Sequence, residues 1–548
     1  MTTADAVRVF VDRYWEQLLE LDPILGTMVG DERYDDRLPD PSEEGRARSA
    51  SVHRAALAEL ASFDRDIEDD ALRTSLDMAE AISLREVASI DHRLDRLWAV
   101  SHFWGPAQLL GELGAMQRAD TPERLERYLA RLSATPAFYH AVREVTRDGA
   151  AAGVTAPRVV VERTLGQLER FLTTPVEESP ALGPVPEQDT AGRERVAEVL
   201  RTSAMPALEA YRTALREYLP DVTETIGLSA LPGGEAMYAA EILAWTSLPL
   251  EAQKVHDLGV EDLERIEEER RLAADRLGYG SPAEAEADLL QRHPFASKEE
   301  LKDLAEGQVR RGWEAAPSFF GRIPRDNCEV RSVEEFREAD MAFAFYQPPS
   351  EDGSRPGIYY VNGYDLPSRP RHHLATTTYH EANPGHHFQI SIEQEMGDRP
   401  ALRRFGGLLS GSAFAEGWGL YSERLADEMG LFLDEAERLG MLDAQAHRAA
   451  RLIVDTGMHA LGWTRERSIA TLASAGVPHT DAVIETDRYI TLPGQALSYK
   501  IGQFEIERQR EEAAKREGAA FTLPSFHDRL LALGSLPLPA LQRELRSR

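Results

Sequence analysis

The sequence of 548 residues contains a single cysteine, Cys328. One thiol excludes an internal disulfide bond and any metal cage built from several thiolates. Basic residues are also scarce, because 62 Lys and Arg stand against 93 Asp and Glu, which gives a formal net charge of −31. Binding to nucleic acid or to an anionic membrane surface requires a basic face, so this charge argues against both as partners.

Long apolar runs are missing as well. A membrane-spanning helix requires about 18 consecutive apolar residues, and the sequence contains no such stretch. The first residues, MTTADAVRVFVDRYWEQ, lack the basic segment followed by an apolar segment that is typical of a secretory signal. We therefore expect a cytoplasmic protein with no membrane partner, and the sequence leaves its oligomeric state open. Hydrophobic residues make up 42% of the chain, which is enough for a large core.

Helical patterns dominate the chain, and strand patterns are rare. Apolar residues recur every three or four positions, as at Val7, Phe10, Val11 and Tyr14. Thr121 and Ser281 each precede a proline, which is typical of a helix start. The pattern predicts helices over 192–218, 250–277, 299–314, 434–474 and 500–517.

Two short apolar runs bounded by proline or glycine, Met341–Tyr346 and Gly357–Val361, predict a small β-ribbon. The segment Thr173–Asp189, rich in proline and acidic residues, predicts a loop or linker. The fold class that follows is mainly α, a large helical body with a minor β-ribbon.

Five of the 15 histidines fall between residues 372 and 387, around the segment Tyr379-His-Glu-Ala-Asn-Pro-Gly-His-His-Phe-Gln389. In the zinc motif H-E-x-x-H, two histidines four residues apart share a helix face and bind one ion. Here the second histidine comes six or seven residues after His380, and six residues is about 120° off that face. A bulge at Pro384 and Gly385 could correct this, which favours His386 as the second ligand over His387. The alternative is a helix end with surface histidines.

This segment resembles the signature of a widespread bacterial family of unknown function whose members are predicted to be zinc metallopeptidases. More distantly, the chain resembles the helical gluzincin peptidases, which include angiotensin-converting enzyme and the thermostable carboxypeptidases. The likeness covers nearly the whole chain and includes Asp22–Gly26 with Gly30, Tyr238–Gly259, Ala415–Trp418, Asp455–His459, Gly462-Trp463, Arg488-Tyr489, Pro493–Ala496 and Tyr499–Gly502. It implies one body over 1–548 with a deep active-site cleft, a helical N-terminal half (1–250) and a catalytic half (251–548).

The resemblance implies that zinc takes a third ligand from a glutamate on a following helix. Glu416 lies some tens of residues downstream among small and aromatic residues, and Glu423 could support a ligand from the same helix face. The alternative for Glu416 is an ordinary surface acid. Glu381, directly after His380, is the expected general base that takes a proton from water.

The C-terminal segment Asp487–Gly502 is expected to form the far wall of the cleft. Tyr499 and His459 are candidates to stabilise a developing oxyanion, with Asp455 orienting His459. Either could instead be a buried packing residue. Arg488 and Lys500 could hold a substrate carboxylate, although both could simply pair with acids.

The predicted function is a zinc-dependent hydrolase of a peptide or related amide bond, carboxypeptidase- or dipeptidase-like. Tyr359 and Tyr360 in the ribbon could present a strand edge to an extended peptide. One alternative is a metal-dependent enzyme acting on a non-peptide amide or in a metabolic tailoring step. Another is a non-catalytic helical metal-binding protein. Glu381 beside His380 argues against the last, because structural zinc sites usually fill all four positions with protein ligands.

Overall fold

The computed structural model describes residues 3–335, 338, 341–350, 355–397 and 399–547. Helices dominate it, and the prediction of a mainly α fold is confirmed. The first part of the chain forms α1 (Thr3–Leu21), α2 (Pro23–Met28), α3 (Glu43–Leu60), α4 (Asp70–Asp91), α5 (Asp95–Trp98), α6 (Leu109–Met116), α7 (Pro122–Ser133), α8 (Thr135–Ala151), α9 (Arg158–Thr173), α10 (Thr190–Val199), α11 (Met205–Tyr218) and α12 (Gly234–Thr246).

The remaining helices include the longest ones and those that carry the histidine segment. They are α13 (Ala252–Leu277), α14 (Pro282–Arg292), α15 (Lys298–Ala315), α16 (Leu374–Glu381), α17 (His386–Gln394), α18 (Ala401–Phe405), α19 (Ala413–Glu428), α20 (Glu435–His459), α21 (Arg465–Ser474), α22 (His479–Thr491), α23 (Ser498–Glu517), α24 (Leu523–Leu531) and α25 (Leu538–Ser547).

The predicted helix starts are present, and two predicted helices are interrupted. The hydroxyls of Thr121 and Ser281 accept the backbone N–H groups three residues on, as capping residues do. The segment 192–218 contains a π-helical turn between α10 and α11, just before Pro206, whose ring nitrogen cannot donate a helical hydrogen bond. The segment 434–474 is split after His459, where backbone hydrogen bonds from residues 461 and 463 close the end of α20.

A three-stranded sheet forms where the ribbon was predicted. Its strands β1 (Glu329–Ser332), β2 (Ala344–Gln347) and β3 (Ile358–Val361) are ordered β1-β3-β2, with β1 parallel and β2 antiparallel to β3. The predicted ribbon corresponds to β2 and β3. Strand β1 was not predicted, because it has four residues and only one of them is buried, which is too short a pattern to indicate a strand.

Two large hydrophobic cores organise the helices. The first joins α1, α3 and α4 to α12, α19, α23 and the C-terminal helices, so it draws on chain from both sides of residue 250. An ion pair of 2.7 Å between Arg73 and Glu544 also links the two ends of the chain. The second core lies among α6–α11 and α20–α22, and it buries Ala181, Leu182 and Val185 of the predicted loop. Among the described residues, no helix is long and apolar enough to cross a membrane.

Helices α19 and α23 run parallel in close contact. The hydroxyls of Ser412 and Ser498 are 2.8 Å apart, just before α19 and at the first residue of α23, and Gly417 faces Gly502 further along. A Cβ atom added to Gly502 would lie 1.8 Å from the carbonyl oxygen of Ala413. Only glycine therefore fits at this contact.

Replacing Gly502 by Ala should destabilise the protein by about 1–3 kcal/mol, because the added methyl group overpacks the contact between α19 and α23. The free energy of unfolding, from urea titration followed by circular dichroism, measures this effect. Gly307→Ala is the matched control, since a Cβ there would meet nothing closer than an arginine nitrogen at 3.9 Å. The control should be neutral or slightly stabilising. Equal losses in both variants would refute the packing argument.

Candidate metal centre

The histidine segment folds as two helices and not as one bulged helix. Helix α16 ends at Glu381, α17 begins at His386, and the Asn383–Pro384 peptide bond between them is cis. At the turn, a Cβ atom on Gly385 would lie 1.8 Å from the carbonyl oxygen of His380. The indole N–H of Trp418 donates to the carbonyl oxygens of residues 384 and 385, which holds the turn against α19.

The break brings three predicted ligands together. The Nε2 atoms of His380 and His386 lie 3.5 and 3.7 Å from the same oxygen, Oε2 of Glu416. The three donor atoms all lie within 4.8 Å of one another. Four ligands at zinc bond lengths of about 2.0–2.1 Å in a tetrahedron are about 3.3 Å apart, so the spacing fits a bound zinc ion.

His387 points elsewhere. Its Nδ1 is 2.8 Å from the hydroxyl of Tyr346, and its Nε2 is 2.9 Å from the carbonyl oxygen of Asp326. Burial lowers the pKa of His387 to about 4. Both ring nitrogens are thus occupied within the protein, which favours His386 as the second ligand.

A buried chain of polar groups supports His380. Its Nδ1 atom is 2.8 Å from Glu423, which leaves Nε2 directed at Glu416. Gln445 donates to the other oxygen of Glu423 over 2.9 Å, and the ammonium of Lys500 donates to Gln445 over 2.8 Å. Carboxylates that fix a histidine ligand in this way commonly surround metal sites.

Lys500, which was predicted to bind a substrate carboxylate, instead belongs to this buried series of polar groups. It is fully buried, and its ammonium also pairs with Asp262 at 2.8 Å. Burial lowers the pKa of Lys500, and the Asp262 charge opposes that effect. Because its donors serve Gln445 and Asp262, the ion-pair alternative describes Lys500 better than substrate binding does.

The cluster has a strong preference for positive charge. Burial by itself would lower the pKa of His380, but Glu416 and Glu423 raise it to about 10. Burial would likewise raise the pKa of Glu416, yet the two histidines bring it well below its ordinary value. The histidines and the two carboxylates thus stabilise one another's charged forms, and a metal ion bound here would displace the proton of His380.

Glu381 lies beside the free edge of β2. Its Oε2 accepts the backbone N–H of Tyr346 over 3.1 Å, and no other described strand pairs on that side of β2. Tyr359 and Tyr360, expected to offer the strand edge, lie on β3, which is paired on both sides. The available edge therefore belongs to β2.

Tyr499 and Arg488 lie in a second polar group, at the start of α23. The Arg451 guanidinium stacks on the Tyr499 ring at 4.5 Å, and Arg488 donates to Gln495 over 2.7 Å. Arg451 also donates to Tyr489 and Glu485. One buried guanidinium nitrogen of each arginine, Nε of Arg488 and an Nη of Arg451, has no hydrogen-bond partner in the described part of the chain.

His459 does not join either group. Its Nε2 is 3.0 Å from the carbonyl oxygen of Tyr489, and its Nδ1 accepts the N–H of Leu228 over 3.4 Å. Asp455, expected to orient it, accepts instead from the Tyr238 hydroxyl and from the N–H of Gly494. His459 is fully buried between backbone groups, which supports the packing alternative.

Several residues that lie near the site were not predicted to do so from the sequence, namely Asp262, Tyr346, Gln445, Arg451 and Glu485. They come from α13, β2, α20 and α22, and no spacing along the chain connects them to the histidine segment. These residues could have been found only by recognising that their polar side chains are buried. The periodicity of a sequence indicates burial for apolar positions and not for polar ones.

The structure defines a mainly helical protein with a His-His-Glu group suited to one metal ion. The chain belongs to the family described as bacterial protein of unknown function, DUF885, whose model matches residues 23–545. Family membership is thus confirmed. No curated protein matches the chain.

Two solved structures are similar over nearly their full lengths. One is described as "the putative lipoprotein from Colwellia psychrerythraea", with a TM-score of 0.89, 25% identity and coverage of 100% of this chain and 99% of that chain. The other is a "putative lipoprotein of unknown function from Shewanella oneidensis", with a TM-score of 0.77, 20% identity and coverage of 97% and 98%. The second likeness shows the fold alone.

Replacing His386 by Ala should remove one equivalent of tightly bound zinc per chain, because two donors cannot hold the ion that three hold. His387→Ala should keep that equivalent. The metal content of gel-filtered protein, measured by mass spectrometry, distinguishes the two variants. Loss of the equivalent from His387→Ala, with retention in His386→Ala, would reverse the assignment.

Proposed function

We propose that the chain is a metal-dependent hydrolase of a peptide or related amide bond. The observation that carries the proposal is the position of Glu381. Its carboxylate follows ligand His380 directly and lies at a free strand edge, outside the three-ligand group. A purely structural zinc site fills its four positions with protein ligands and does not require a further carboxylate beside them.

His380, His386 and Glu416 would hold the zinc ion and leave a fourth position open. Zinc bound there would supply a Lewis acid that lowers the pKa of water towards about 7 and polarises a carbonyl group. Glu381 accepts the proton of the attacking water and passes it to the leaving amine. Glu423 keeps His380 in the tautomer whose Nε2 is free to bind the metal.

The free edge of β2 supports a peptide as substrate. An extended peptide can add to an exposed strand edge through main-chain hydrogen bonds. On this edge of β2, Glu381 already accepts the backbone N–H of Tyr346. Because Glu381 contacts that same N–H, a backbone bound along β2 lies beside the proposed general base. This arrangement selects extended main chain over compact amides.

Arg488 and Tyr499 provide the remaining groups in this proposal. Arg488 and Arg451 each have a buried nitrogen without a partner among the described residues. A substrate carboxylate would accept one hydrogen bond from each of these nitrogens. The Tyr499 ring stacks under Arg451, and the Tyr499 hydroxyl serves as the donor to the developing oxyanion. A free carboxylate on the substrate is consistent with carboxypeptidase- or dipeptidase-like cleavage.

Glu381→Gln should keep zinc and lose turnover, because the amide preserves the shape of the side chain but cannot accept the proton. A peptide-library digest read by mass spectrometry identifies a substrate, and kcat on that substrate measures the effect. Glu314→Gln removes an exposed acid of α15 and is the matched control. A metallated Glu381→Gln protein with the wild-type rate would contradict the role.

Tyr499→Phe should lower kcat about 10²- to 10³-fold with little change in KM, as expected for one lost oxyanion donor. Arg488→Ala should mainly raise KM, most for substrates with a free carboxylate. Tyr364→Phe, at an exposed tyrosine, controls for loss of a hydroxyl. If Tyr499→Phe lowers Tm and leaves kcat intact, Tyr499 is a packing residue.

A further inference from the structure

A second group of metal-ligating side chains lies just before α16, at the opposite end of that helix from His380. His372 and His373 form a short turn, and Asp443 of α20 faces them. Its Oδ2 is 3.1 Å from Nε2 of His373 and 3.6 Å from Nε2 of His372. One donor atom from each residue lies within 4.8 Å of the other two.

His372 has no hydrogen bond that would explain its burial. Only 6% of the residue is exposed, and within the described ranges neither ring nitrogen has a hydrogen-bond partner. Buried imidazoles normally satisfy at least one nitrogen. An ion bound here would give one nitrogen of the His372 ring the partner that the described residues do not supply.

Asp443 is oriented from behind by Arg270. The Nε of Arg270 donates to Oδ1 of Asp443 over 2.8 Å, so Oδ2 is left facing the two histidines. Glu286 of α14 pairs with the same guanidinium. Two carboxylates, those of Asp443 and Glu286, thus share one guanidinium, and this excess of negative charge favours an added cation.

We propose that His372, His373 and Asp443 bind a second zinc ion, with water in the fourth position. Two imidazoles and one carboxylate are the nitrogen and oxygen donors that zinc commonly takes. The side chain of His373 is 29% exposed, which gives the ion a route from solvent. The ion ties the turn that starts α16 to α20 and is distinct from the centre at His380.

Anomalous scattering tests the site in the unaltered protein. Crystals of the full chain grown with zinc chloride, measured on both sides of the zinc absorption edge, should show a peak among His372, His373 and Asp443. A separate peak should lie at His380, His386 and Glu416. The two peaks are read independently, so failure of one proposal leaves the other testable. No peak at His372 from crystals with the other site filled overturns the second site.

Metal content in solution gives an independent test. Wild-type protein should hold two zinc equivalents, and both His386→Ala and the double variant His372→Gln/His373→Gln should hold one. Affinity at the second site, measured in the His386→Ala background, should fall at least about 100-fold on adding His373→Gln. Even loss of a group that only supports a ligand costs about 10- to 100-fold.

His140→Gln, at an exposed histidine of α8, is the control and should hold two equivalents. Circular dichroism establishes that the double variant is folded. If it is not, the His386→Ala protein decides alone: one equivalent and a Tm that rises with zinc concentration support the site. No zinc bound by His386→Ala overturns it and leaves the group as an ion-pair network around Arg270.

Discussion

The contact between His380 and Glu423 is the interaction on which the rest of the site depends. It buries a carboxylate completely, which is unfavourable unless hydrogen bonds and positive charge surround it. Gln445 and Lys500 supply these, and Asp262 balances the lysine. The result is a continuous line of polar groups from α13 to the metal ligands. Removing one member would leave a buried charge without its partner, so these residues constrain one another.

Close backbone packing is the second condition. The cis turn, with Gly385 against His380 and Trp418 bonded to its carbonyl oxygens, brings the first residue of α17 alongside the last turn of α16. Gly419 of α19 lies against the His380 ring, and Glu416 on the same helix faces both histidines. The spacing of the ligands therefore depends on contacts of the main chain, which are more rigid than side-chain rotamers.

Local patterns in the sequence were sufficient for most helices, for two of the three strands and for the pair His380 and His386, whereas Glu416 was added through the family resemblance. The local patterns are periodicity, capping and a short motif. Roles for Lys500 and His459 could not be inferred in this way, because both depend on partners from other elements: Lys500 faces Gln445 and Asp262, and His459 lies between backbone groups of Leu228 and Tyr489. A lone basic residue in a sequence does not reveal whether it faces a substrate or a buried acid.

The candidate ligands and Glu423 all come from one stretch, α16 to α19, whereas the residues behind Glu423 come from α13, α20 and α23. A fragment spanning 374–428 would carry every donor atom of the centre and none of Asp262, Gln445 and Lys500. Such a fragment would expose Glu423 and His380 to water and lose the low-dielectric surroundings that set their affinity for a cation. The metal-binding segment alone would therefore not reproduce the properties of the centre. A design that places this segment in another helical protein would also have to include Asp262, Gln445 and Lys500.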